Sequence, residues 1–117
     1  MNPDVWSPDA GDLIWTDFNT TNGREQAGRR PVLVASSKVF AASTGLSVVY
    51  PITSRMRPFP ASVVLPAGLP VESEILTSHI RSIDTQARPI LYAGATVPDS
   101  VAEEVRARLA MSLRFSA

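Results

Sequence analysis

The chain has 117 residues, no cysteine and one histidine, which excludes disulfide scaffolds, thiol nucleophiles, cysteine metal sites and any chemistry that needs two histidines. With 44% apolar and 19% charged residues it has the composition of one globular domain, residues 1–117, and eleven bases against eleven acids leave no net charge to argue for nucleic acid or membrane. No apolar run reaches the ~18–20 residues of a membrane span, and the acidic, proline-bearing start MNPDVWSPDAGD is unlike a signal peptide, so a cytoplasmic protein is expected.

In chain order, residues 1–10 read as an N-terminal tail. LIWTDF at 13–18 is rich in strand formers. Residues 19–28 are polar with two glycines, a mobile loop longer than a usual hairpin connection. PVLVAS at 31–36 and LSVVYPIT at 46–53 read as buried strands, Pro51 marking an edge, a bulge or the strand's exit. ASVVL at 61–65 is a fourth strand; EILT at 74–77 and HIRSI at 79–83 are two more, or one bent strand. A helix covers about 99–115: Val101, Val105, Leu109 and Leu113 recur every four residues on one face. Asp99 follows Pro98 as its N-cap, Glu103 and Glu104 sit in its early turns, and Glu104 pairs with Arg108. Short strands followed by one terminal helix predict a small barrel or a strongly twisted antiparallel sheet, with the helix closing the core or an interface.

The zero net charge hides an uneven distribution. Residues 1–17 carry four aspartates and no base, whereas residues 24–57 carry six bases against Glu25 alone. Ten of the eleven bases are arginine, whose planar fork suits phosphate and base edges. No HExxH, P-loop, GxGxxG or GxSxG is present, and the carboxylates are too scattered to suggest a metal site. The segment that stands out is Gly23-Arg24-Glu25-Gln26-Ala27-Gly28-Arg29-Arg30-Pro31. Two glycines bracket a charged stretch that runs directly into a buried strand. Glu25 and Arg30, five residues apart, make a reasonable acid–base and anion-stabilising pair; as a plain surface loop, the same stretch would carry only a Glu–Arg ion pair.

GDLIWTDF at 11–18, GREQAGRRP at 23–31, VLVAS at 32–36, YPITSR at 50–55 and SHIRSID at 78–84 follow one another in an order that resembles the MazF/PemK family of toxins, from about Gly11 to the C-terminal helix. The resemblance implies a small SH3-like barrel, usually a homodimer, that cuts single-stranded RNA at short sequences without metal or cofactor, leaving 2′,3′-cyclic phosphate and 5′-hydroxyl ends. It implies a cognate antitoxin whose acidic, disordered C-terminal tail covers the site, and contact with operator DNA only through that antitoxin. The family's motif arginine falls on Arg30, its threonine on Thr53 and its acid on Glu25, with Gln26 beside it; Arg24 stands where serine is common. The Asp/Glu-Gln pair that the family carries before its IRSI-like stretch is Ser78-His79 here, which bears on base preference.

Within that scheme Arg30 would stabilise charge on the phosphoryl oxygens, Thr53 would position the phosphate and Glu25 would take the 2′-hydroxyl proton. Arg30 is a poor literal proton donor. Arg24, Gln26, Arg55, Arg57, His79 and Arg81 are the expected RNA contacts, His79 being also a candidate acid. The rival reading is a non-enzymatic toxin of the same fold that binds DNA gyrase, or a catalytically silent partner of an antitoxin.

Overall fold

A computed structural model describes residues 7–17, 29–53, 62–71, 74–85, 87 and 90–113. In chain order these form β1 (Asp12–Thr16), β2 (Arg30–Val34), α1 (Lys38–Thr44), β3 (Leu46–Thr53), β4 (Ser62–Val64), β5 (Glu74–Leu76), a 3-10 turn (Thr77–His79), β6 (Arg81–Asp84), β7 (Ile90–Thr96) and α2 (Asp99–Leu113). Every strand pair is antiparallel. The sheet runs β4-β5-β3-β2-β1-β7, with β6 also on β3. Its two ends, β4 and β7, do not pair with each other among the described residues, so the sheet is twisted and open rather than a closed barrel. No helix among those residues is long and apolar enough to cross a membrane.

β3 organises the sheet. One of its edges pairs with β2; the other pairs with β6 over Leu46–Val49 and with β5 at Ile52 and Thr53. Pro51 lies in a central strand, in the gap where the second edge changes partner, and there the ladder is already interrupted. The strands bury both faces. Leu13, Leu33, Tyr50, Ile52, Val63 and Ile75 form the main core, and Ile14, Val32, Val34, Val49 and Ile83 form a second cluster. This explains the near-continuous apolar runs: successive residues point to opposite faces, and both faces are covered. α2 lies on the main core through Val105, which is 1% exposed, flanked by Val101, Ala102 and Leu109. The apolar stripe fades before its end, since Met111 and Leu113 are exposed.

Of the two readings of the 74–83 segment, two strands is the one found, separated by the 3-10 turn that takes His79 out of either ladder. The elements differ from the sequence expectations in three other places. α1 was not legible because it has seven residues and buries only Ala41; it is fixed by its ends, Ser37 Oγ accepting from Phe40 N at 3.1 Å and Gly45 closing it at φ +77°. β7 was missed because Gly94 interrupts it. That glycine, at φ +91°, falls where the β1–β7 register shifts, as at a bulge. At the start of α2, Val101 N and Ala102 N both donate to Pro98 O, so the residue whose carbonyl opens the helix is Pro98, and Asp99 is its first residue.

Residues 7–10 are tied down. Asp9 N donates to Asp12 Oδ2 at 2.9 Å, and Asp9 Oδ1 accepts from Lys38 N at 2.9 Å, joining the approach to β1 to the start of α1. One buried polar atom, Ser47 Oγ, lacks a hydrogen-bond partner among the described residues. A buried hydroxyl left unpaired costs about 1–3 kcal/mol. Ser47→Ala is therefore expected to melt at or above the wild-type temperature, by up to about 1 kcal/mol of added stability; a fall of several degrees on thermal denaturation would contradict this.

Candidate active site

Arg30 opens β2 and Thr53 closes β3. The β2–β3 register pairs Val32 with Pro51, Leu33 with Tyr50 and Val34 with Val49. Carried two residues further, it sets Arg30 opposite Thr53. Residues directly opposite in an antiparallel pair share a face, with Cβ atoms about 5 Å apart. Arg30 has the parity of Val32 and Val34, and Thr53 that of Val49, so both lie on the face of the second cluster, at its polar end.

The row extends in both directions. Thr16 is opposite Arg30 and fully buried, and Ile90 is opposite Thr16. On the other side Thr53 is opposite Glu74, and Glu74 is opposite Val64 on β4. Arg30 is exposed and, among the described residues, has no acidic partner, so its guanidinium is open to an anion. Thr53 is half-buried. Glu74 is only 4% exposed, and its Oε1 accepts from Ser62 Oγ at 2.7 Å. The row therefore presents a fork of N–H donors, a hydroxyl that both donates and accepts, and a buried carboxyl. That set can grip a phosphodiester and handle protons. Among the described residues no group of three or more His, Asp or Glu side chains is placed to hold a metal ion.

The other expected contacts fall in three groups. Arg81 pairs with Val49 on β6 and is exposed on the same face as Arg30 and Thr53, about 13 Å from Thr53 along the strand direction. His79 ends the 3-10 turn, exposed, its Nδ1 3.4 Å from Ser78 Oγ. Glu25, Arg24, Gln26, Arg55 and Arg57 lie outside the described residues. Glu74 was not singled out in the sequence. In ESEILT it reads as a solvated strand flank, and only the pairing of β5 between β3 and β4 buries it.

A cavity of about 300 Å³ lies elsewhere, on the side that α2 covers. Leu33, Tyr50 and Val105 wall it, with Asp99, Glu103 and Arg106 among its lining. Tyr50 belongs to the main core, so the cavity and the Arg30–Thr53 row are on opposite faces of the sheet.

In architecture the chain is similar to MazF from Deinococcus radiodurans, at 40% identity and a TM-score of 0.84, covering 95% of this chain and 100% of that one. It is equally similar to a chain of MazE-MazF from the same organism, at 40% identity and a TM-score of 0.86, with the same coverage. In sequence it is 37% identical over 94 residues to the endoribonuclease toxin MazF of Escherichia coli strain K12, covering 80% of this chain and 84% of that protein. Residues 9–113 match the model of the PemK-like, MazF-like toxins of type II toxin–antitoxin systems. The chain belongs to that family.

Burial raises the Tyr50 hydroxyl above its ordinary pKa of 10.0, against a smaller downward pull from Arg106. The folded state thus holds this proton at pH values where the unfolded chain has lost it, and the associated stability, complete below pH 10.0, is lost as pH climbs through the raised value. Tyr50→Phe lacks that linkage. Its melting temperature is expected to fall less steeply than that of wild type between neutral pH and the alkaline range, and identical slopes in a pH series would contradict the assignment.

Proposed function

We propose that the chain is an endoribonuclease toxin that cleaves single-stranded RNA without a metal ion. In this reading the RNA 2′-hydroxyl attacks its own adjacent phosphorus and leaves 2′,3′-cyclic phosphate and 5′-hydroxyl ends. The observation that carries it is the β2–β3 register, which pairs Val32 with Pro51 and, continued by two residues, would bring Arg30 and Thr53 together on one face although they are far apart in the chain. The relatives named as endoribonucleases in E. coli support it from the side of sequence.

Because the nucleophile belongs to the substrate, the protein needs only to orient the attack, stabilise charge and move protons. Arg30 makes two parallel hydrogen bonds to the non-bridging oxygens. Thr53, opposite it, holds the phosphate against the strand end. Glu25 takes the 2′-hydroxyl proton. Arg24, Gln26, Arg55, Arg57, His79 and Arg81 contact the RNA along its length, and the choice among bases falls to residues such as His79. The chain acts as a homodimer and is neutralised by a cognate antitoxin with an acidic, disordered tail that competes for the same arginines; the solved MazE-MazF relatives support the existence of such a partner.

Arg30→Ala is expected to cut a mixed pool of transcripts at least ~100-fold more slowly than wild type with an unchanged melting temperature, the usual scale for losing a donor to transition-state charge. Undiminished cleavage by that variant would contradict the reading. Mapping 5′-hydroxyl ends in the wild-type digest tests the chemistry directly. Treatment with EDTA is expected to leave the rate unchanged; loss on chelation with recovery on adding magnesium would show that the attack depends on a metal.

A further inference from the structure

A cleavage of this kind moves two protons, and the scheme above places only one. Arg30 stays protonated and is no literal acid. The row across the sheet contains one more ionisable group, Glu74, set opposite Thr53 on the flank away from Arg30. Three observations set it apart. It is 4% exposed, on a face whose other end is apolar. Among the described residues no cation pairs with it, and burying a carboxyl without one is costly. Finally, Ser62 Oγ donates to Oε1 at 2.7 Å, which fixes the plane of the carboxyl and leaves Oε2 outside that bond. In-line displacement puts the entering and leaving oxygens on opposite sides of phosphorus. A row with Arg30 on one side of Thr53 and Glu74 on the other sets the carboxyl on the flank of the phosphate away from the charge-stabilising guanidinium.

Resting on the nuclease reading, we propose that Glu74 is a further catalytic residue, the general acid that protonates the departing 5′ oxygen. As the 2′ oxygen bonds to phosphorus, its proton passes to Glu25. The bond from phosphorus to the 5′ oxygen breaks, and the electron pair left on that oxygen takes the proton from Oε2 of Glu74. The products are a cyclic phosphate, a 5′-hydroxyl and the Glu74 carboxylate. Solvent then restores the proton to Glu74 and removes the one on Glu25.

The test uses two oligonucleotides built around a cut site found in the transcript pool. One has the natural 5′ oxygen at the scissile bond; the other has a bridging 5′ sulfur, a leaving group that departs without protonation. Glu74→Gln keeps the shape and the acceptor for Ser62 but has no proton to give in this way. It is expected to cut the oxygen substrate about 100-fold or more slowly, the usual contribution of a positioned acid, and the sulfur substrate within about three-fold of wild type. Equal losses on both substrates mean a structural role and overturn the proposal, as does undiminished cutting of the oxygen substrate. Sulfur rescue of His79→Ala in place of Glu74→Gln gives the role to His79 and also overturns it. Should Glu74→Gln fail to fold by circular dichroism, Ser62→Ala keeps the carboxyl but frees its plane; it is expected to show a smaller loss, again confined to the oxygen substrate, and equal loss on both overturns the proposal. Failure of wild type to cut either oligonucleotide or the transcript pool sinks the nuclease reading itself, a result distinct from every one of these.

Discussion

The alignment of β2 against β3 is the constraint on which the rest of the molecule depends. A slip of one residue would send Arg30 to the face under α2 and leave Thr53 without its neighbour. Apolar content alone does not prevent this, because both faces of these strands are buried and a slip would exchange one aliphatic side chain for another. The connection between the strands supplies the missing specification. Ala35 N donates to Val48 O at 2.7 Å and Val48 N to Ser36 Oγ at 2.8 Å, locking the end of β2 beside β3. α1 then takes up a fixed length between its serine cap and a left-handed glycine. A helix of seven residues thereby helps to set the register between β2 and β3.

The two faces divide the work. The face under α2 holds the larger core and the cavity, with Tyr50 buried in that core and the exposed Arg106 among the cavity's lining. The opposite face holds a smaller aliphatic cluster that gives way at one end to Thr16, Arg30, Thr53 and Glu74. Placing charged groups at the margin of a core lets their stems be held by packing while their heads meet solvent or ligand. Gly11 serves the same framework from β1's side. At φ +93° it lets the chain enter the strand while its N–H reaches Val34 O, and an added Cβ would stand 3.2 Å from Thr96 Cγ2.

Much of this was legible in the amino-acid sequence. The apolar run at 46–53 coincides with β3, the four-residue spacing from Val101 identifies α2, and the motif blocks place Arg30 and Thr53 at strand ends. Their adjacency was not legible, since register depends on the hydrogen bonds of the α1 connection and those have no periodicity. α1 and β7 escaped for local reasons, one too short to show a face and the other broken by a glycine. Glu74 escaped for a non-local one: its burial is created by two strands from other parts of the chain. Charge distribution gave a basic middle, of which Arg55 and Arg57, like Glu25, lie outside the described residues.

The polar row has a consequence for how such a protein is made. Ile90, Thr16, Arg30, Thr53 and Glu74 come from five different strands, and no two of them are close in the chain. Strand pairing of this non-local kind forms late, after the intervening segments have been synthesised. A polypeptide partway through synthesis therefore lacks the assembled row, because its members have not yet been brought together by strand pairing.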